Sequence, residues 1–353
     1  MLNGVDSVES KQYFAAPKLL PALTNTSTYK RLLNYVAGPV LFVLIGISIY
    51  NQVAAQPQLG TQWQQLLQRW QHHPGLLVAV LMLMLANWGL EARKWQLLVS
   101  HALPVPYSRA LMGVLAGVSF TMLTPNRTGE FLGRVLSLPD GSRIRAATLT
   151  AFSSMSQLMV TLLAGIAGIA YLQHYYHGTP NWQPILAYAL LYGSGMALLL
   201  LLAVYFNVAG LVRLLHKWPP ISKYTRHLQA VGELQARELL RYLALSALRY
   251  AVFLWQYYLV FVLCDVQLTV WQAAAGTASL FLILAVVPSV SLAELGIRGK
   301  ASLFVFGLLG GSTLGILAAT GLVWLINIIL PAVAGSLILL SVKLFNKTSF
   351  NHP

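Results

Sequence analysis

The chain has 353 residues, of which 57% are hydrophobic and 9% charged, with a formal net charge of +14. Soluble domains carry roughly 25% charged residues, so this composition excludes a string of water-soluble domains and points to a polytopic membrane protein. The bases lie in short loops between apolar runs rather than in one block, which reads as bias toward one membrane face and not as a nucleic-acid surface.

In chain order, residues 1–34 are mixed and polar, with no apolar core leading to a small-residue cleavage site, so they are expected to form a cytoplasmic N-terminal segment rather than a signal peptide. Tyr35–Tyr50 is the first apolar run. "TQWQQLLQRW", from Thr61, spaces Trp63, Leu66, Leu67 and Trp70 along one face and predicts an interfacial helix. Leu76–Leu90 is a second span, and the "NWGLEARKWQLL" that closes it reads as anchoring by Trp and basic side chains around Glu91, Arg93 and Lys94, with substrate contact as the alternative. Ala110–Leu123 and Thr128–Leu138 follow, broken by Pro125–Gly129. The second piece reaches only about half-way through a ~30 Å hydrocarbon core at ~1.5 Å per residue.

Ala146–Leu172 and Ile185–Phe206 are long enough to cross, and Lys223–Arg241 reads as a basic connector at the cytoplasmic surface. Leu243–Cys264 carries Arg249 about two turns inside. Val270–Val287 and Leu292–Leu309 flank a second break at Pro288, with Gly296 just beyond it. Leu314–Leu340 is the last span, and residues 343–353 form a tail expected to be cytoplasmic.

Charge selects the topology. With the two broken segments read as re-entrant hairpins entering from opposite faces, six spans remain; seventeen bases fall in cytoplasmic loops and tails, and Arg69 alone falls outside. A full crossing by Ala110–Leu123 would move Arg143 and Arg145 outside, against the positive-inside bias. The expected fold is therefore all-α: six transmembrane helices plus two re-entrant helical hairpins, in one membrane domain over residues 35–342. Each half has three crossings, so repeat 1 (about 35–172) and repeat 2 (about 185–342) run antiparallel, an inverted repeat.

The hairpins carry matching chemistry. Pro125, Glu130 and Arg134 recur as Pro288, Glu294 and Arg298, and the glycines Gly129 and Gly296 join the prolines as candidate helix-breaking positions. Ionisable groups at membrane depth are costly and normally face a partner or a cavity. Each Glu–Arg pair has i,i+4 spacing, so each can neutralise itself on one helical face; holding the hairpins in register is one role open to them. Arg127, Lys300 and Arg249 leave a positive excess that suits a phosphate, and a desolvated Glu130 or Glu294 is a candidate proton carrier. No catalytic, metal or cofactor motif accompanies these residues, and the single Cys264 excludes an internal disulfide.

"LTPNRTGEFLGRVL", "NWGLEARKW", "LRYAVFLWQYYLV" and "VVPSVSLAELGIRGKASLF" together resemble the lysylphosphatidylglycerol synthase/flippase transmembrane-domain family. The resemblance covers nearly the whole chain after the first thirty residues. It implies a bacterial inner-membrane protein that moves lipid across the bilayer, without the soluble aminoacyl-transferase domain that follows in the best-known members. The expectation is a flippase for an anionic phospholipid or a polyprenyl-phosphate-type lipid, with no partner nucleic acid and no enzymatic activity. The substrate-binding candidates are Glu130, Arg134, Glu294, Arg298, Arg127, Lys300 and Arg249. A membrane-embedded lipid-modifying enzyme using Glu130 or Glu294 as a general base, and a non-transporting scaffold, are the alternatives.

Overall fold

The structure is a computed structural model that describes residues 47, 50–51, 59–121, 129–136, 138, 143–179, 182–210, 231–287 and 293–338. Nearly all of the first expected span, the tips at Pro125–Thr128 and Pro288–Leu292, and both terminal segments lie outside the described residues. The described residues form helices and no strands: α1 (Leu59–His72), α2 (Pro74–Val99), α3 (Tyr107–Thr121), α4 (Gly129–Leu136), α5 (Arg143–Tyr176), α6 (Pro184–Phe206), α7 (Ala236–Leu263), α8 (Val270–Val286), α9 (Ala293–Leu308) and α10 (Thr313–Trp324). The chain continues from α10 through a π turn at Leu325–Ile329 to Ile338.

Five of these helices are long and apolar enough to cross a bilayer: α2, α5, α6, α7 and Thr313–Ile338. This is an all-α polytopic membrane protein. The helices run further than hydropathy places them. α2 continues for nine residues beyond Leu90, so Glu91, Arg93 and Lys94 lie on a continuous helix and not at its end. α7 begins at Ala236, seven residues before the apolar run, which puts Arg249 at the middle of a 28-residue helix. Polar side chains on one face lower the hydropathy of both stretches without interrupting the backbone ladder.

The short helices form two hairpins. α3 and α4, of 15 and 8 residues, are too short to cross alone. A Cβ at Gly133 of α4 would lie 2.5 Å from the Cα of Gly117 in α3. These residues stand four from the end of one arm and four into the other, so the arms run back along each other in direct backbone contact. α8 and α9 pair similarly, with Gly276 of α8 against the Phe306 ring of α9.

α5 and the last span each lie on a pair of short helices distant in sequence. Gly165 and Gly168 of α5 seat against Leu282 and the Ala275 carbonyl of α8. Reciprocally, Gly335 in the last span lies against the Leu115 carbonyl of α3, and Ser119 of α3 donates to the Ala332 carbonyl at 2.7 Å. Between these layers α2 and α7 pack antiparallel, as the contacts Gln256 to Val80, Arg249 to Asn87 and Tyr242 to Leu97 show. The main core gathers side chains from α5, α7, α8, α9 and α10, including Leu162, Tyr257, Phe261, Leu282, Phe306 and Val323.

Candidate functional site

The antiparallel α2–α7 pair brings polar residues to its seam. Asn87, Glu91 and Lys94 fall on one face of α2 at i, i+4 and i+7, while Ser246 and Arg249 face them from α7. Asn87 and Arg249 stand at the middles of their helices. Arg249 donates through Nε to Asn87 Oδ1 at 2.9 Å and through Nη1 to Glu91 Oε2 at 2.8 Å. Lys94 Nζ lies 3.2 Å from the same Glu91 oxygen and donates to Ser246 Oγ at 3.2 Å. Ser246 in turn meets Ser156 Oγ of α5 at 2.9 Å.

The first hairpin closes on this seam. Arg134 of α4 reaches Glu91 Oε1 at 2.8 Å through Nη1 and pairs with Glu130 through Nη2. The Gly117–Gly133 contact makes that reach possible, since it draws the arm bearing Arg134 close to α3, which itself packs on α2. Glu91 therefore accepts from three cations on three helices. Side-chain exposure grades outward: 2% for Lys94 and Arg134, 5% for Glu91, 13% for Arg249 and 28% for Glu130. The Arg249 guanidinium also sits 5.6 Å from the Trp88 ring and 5.5 Å from the Phe253 ring. Burial of so many charges is tolerable only because nearly every one meets an opposite charge or a hydrogen-bond partner.

The second hairpin carries a smaller cluster. Arg298 Nη2 pairs with Glu294 Oε1 at 3.1 Å, and Nη1 donates to Tyr257 Oη at 3.3 Å. Tyr257 lies on α7 two turns from Arg249, about 12 Å along the axis. The two clusters are thus connected through one helix, and among the described residues they make no ion pair with each other.

Each expected site residue can now be placed. Glu130, Arg134 and Arg249 converge on the first cluster; Glu294 and Arg298 form the second. Lys300, partly buried, stands half a turn beyond Arg298. Arg127, Pro125 and Pro288 lie outside the described residues. Gly129 opens α4, in keeping with a break just before it. Gly296 does not break a helix: it lies in the first turn of α9, whose backbone runs unbroken through it to Leu308, so any interruption falls before Ala293.

The reading of Glu91 and Lys94 as interfacial anchors is corrected outright. Both are buried, and Glu91 is the hub of the cluster. Of that trio only Arg93 is exposed, and it bonds Gln96. Asn87, Ser246 and Tyr257 were also missed. The available signal was the continuous heptad-like spacing of Asn87, Glu91 and Lys94, which places one polar stripe on a helix once "EARKW" is allowed to remain helical.

A separate cavity of about 840 Å³ lies between α1, the α7–α8 turn and the start of α10, lined by Gln65, Gln68, Arg69, His72, His73 and Asp265 among others. It contains none of the expected site residues. Among the described residues no group of His, Cys, Asp or Glu is arranged to hold a metal ion.

A polytopic all-helical membrane protein with paired hairpins and a charge cluster buried between its long helices is the class these observations define. The chain belongs to the family of the lysylphosphatidylglycerol synthase TM region, whose pattern it matches over residues 36–335. No curated protein and no solved structure matches it.

Proposed function

We propose that the chain moves a lipid with an anionic headgroup, a phospholipid or a polyprenyl-phosphate-type lipid, between the leaflets of a bacterial inner membrane. The membrane-lipid setting follows from the family. The observation that carries the transport reading is the cluster of Glu91, Lys94, Glu130, Arg134 and Arg249, buried where two long helices and a hairpin meet. A scaffold gains little from such a cluster, since well-packed apolar residues stabilise a helix junction as well or better. Charges retained at membrane depth instead mark substrate or ion pathways.

In this reading the two hairpins are re-entrant, six helices span the membrane, both termini are cytoplasmic, and the halves form an inverted repeat. The reciprocal packing of each last span on the opposite hairpin supports that symmetry, as does the antiparallel α2–α7 pair, through whose middle a two-fold axis in the membrane plane would pass. Arginines hold the phosphate, the glutamates orient them, and no covalent chemistry occurs. Glu294 and Arg298 serve as the counterpart station on the other half.

Purified protein in liposomes containing a fluorescent phosphatidylglycerol tests this. The expected result is protein-dependent leaflet exchange with the lipid chemically unchanged, and loss of most exchange in a folded Glu130→Gln/Glu294→Gln variant. A new lipid species would make the chain an enzyme. Normal exchange in the double variant would return both pairs to a structural role.

A further inference from the structure

The cavity beside α1 has a floor and a rim of different character. Cys264, Leu314 and Gly315 are buried and make its floor, whereas Gln65, Gln68, His72, Asp265 and Ser312 are exposed around it. Both ends of the second hairpin meet there, since the α7–α8 turn leads into α8 and the Ser312 turn follows α9. Close backbone approach fixes the floor: a Cβ at Gly315 would lie 2.7 Å from the Cys264 carbonyl oxygen. α1 closes the remaining side through the ion pair of Arg69 Nη1 with Asp265 Oδ1 at 2.5 Å. The volume of about 840 Å³ lies within the range of small-molecule sites, ~300–1,000 Å³.

The rim mixes open donors with open acceptors. Asp265 Oδ1 accepts from Arg69 and, at 2.8 Å, from Gln267, while Oδ2 has no partner among the described residues. Arg69 Nε is buried and likewise has no partner there. His72 Nδ1 donates to the Gln68 carbonyl at 2.7 Å, which leaves Nε2 of the neutral ring as an acceptor. Ser312 Oγ accepts from Gly315 N at 3.2 Å and keeps its own proton to donate. Asp265 is also the one non-glycine residue at positive φ (56°) among the described residues. It ends α7 in a turn closed by Val266 N on the Phe261 carbonyl at 2.9 Å, a position that glycine fills without strain. The turn needs no carboxylate; the cavity gains one.

Formal charge selects the class of ligand. Arg69 and Asp265 lie against each other and cancel, so an anion meets the carboxylate and a cation meets the guanidinium. A neutral group with several hydroxyls meets neither penalty. Its hydroxyls donate to Asp265 Oδ2 and His72 Nε2 and accept from Arg69 and the glutamine amides, while its C–H faces rest on the apolar floor. We propose that this cavity binds a neutral polyhydroxyl group, a sugar ring or a comparable polyol, carried on a lipid or free in solution. The site stands apart from the charge cluster: α2 starts beside it at Pro74 and reaches Glu91 about 25 Å further along the axis. Binding here therefore does not depend on the transport reading.

The test titrates purified protein with glucosyl-diacylglycerol, diacylglycerol and phosphatidylethanolamine of identical acyl chains and counts bound lipids by native mass spectrometry. Wild type should retain the glucosyl lipid over diacylglycerol by about tenfold, the ratio that corresponds to ~1.4 kcal/mol. Asp265→Gly should remove most of that preference while leaving the melting midpoint close to wild type, because glycine suits the left-handed position. Gln68→Ala removes a side-chain amide with no partner among the described residues; it should lower the ratio by about threefold and serves if the Asp265 variant does not fold. Displacement of the lipid by methyl glucoside would show that a soluble sugar fills the same site, and retention against it would confine the site to membrane-borne sugars. Equal retention of glucosyl-diacylglycerol and diacylglycerol by wild type, or an undiminished preference in folded Asp265→Gly, would overturn the proposal. Phosphatidylethanolamine held above the glucosyl lipid would show the Arg69–Asp265 pair parting for a zwitterion, and would overturn it too.

Discussion

Gly133→Ala adds one methyl group at the closest approach in the first hairpin. The new Cβ would stand 2.5 Å from Gly117 Cα, 2.6 Å from Gly117 N and 2.7 Å from the Ala116 carbonyl carbon. All three are backbone atoms, so no side chain can rotate away. Carbon contacts settle at about 3.5–4.0 Å, so the arms must part by roughly 1.0–1.5 Å, and overpacking of this kind typically costs ~1–3 kcal/mol. Arg134 is the next residue, and its 2.8 Å contact to Glu91 would stretch beyond hydrogen-bonding distance. Losing a buried hydrogen bond between charged groups adds about 1.5–3 kcal/mol. The expected total is roughly 2.5–6 kcal/mol, or on the order of 5–12 °C in Tm at ~2 °C per kcal/mol for a chain of this size. Thermal unfolding in detergent measures it, with Gly193→Ala as control, because a Cβ there meets nothing within 4 Å. That control should be neutral or slightly stabilising, by ~0.5–1 kcal/mol, since alanine is the better helix former. A Gly133→Ala midpoint within 1 °C of the control would show that the hairpin is not closed on itself as described.

Glu91→Gln removes the charge shared by Arg134, Arg249 and Lys94 and should destabilise by about 3–5 kcal/mol, whereas Glu91→Gln/Lys94→Met, which restores the formal charge, should recover part of the loss; an additive double variant in the same melts would argue against the coupling. In a Cys264→Ala background, single cysteines at Thr179 and at Ser142 should react with impermeant maleimide from the outside and the cytoplasmic side respectively; external labelling at Ser142 would refute the six-span topology.

Much of the architecture was legible because a bilayer leaves few options: backbone groups in hydrocarbon must be satisfied within a helix, so apolar length alone identifies spans. The length of Thr128–Leu138 likewise marked it as too short to cross, and the repeated Glu and Arg identified the pairs Glu130–Arg134 and Glu294–Arg298, whose i,i+4 spacing is local information. Hydropathy failed where a helix was polar on one face. It ended α2 at Leu90 and began α7 at Leu243, and so it assigned Glu91 and Lys94 to the interface. It also gave no hint of the π turn in the last span, where Asn327 donates to Gln256 of α7.

The sequence by itself determined that the chain is helical, lies in a membrane, and carries two Glu–Arg pairs, because each of those properties is written in composition or in spacing of a few residues. Which charges meet was decided only in three dimensions. Glu91, Arg134 and Arg249 are separated by tens to more than a hundred residues, and nothing local distinguishes a carboxylate facing headgroups from one facing two arginines. Antiparallel packing of α2 on α7, with a glycine-to-glycine contact drawing Arg134 inward, turned a residue that looked like an anchor into the centre of a buried charge cluster.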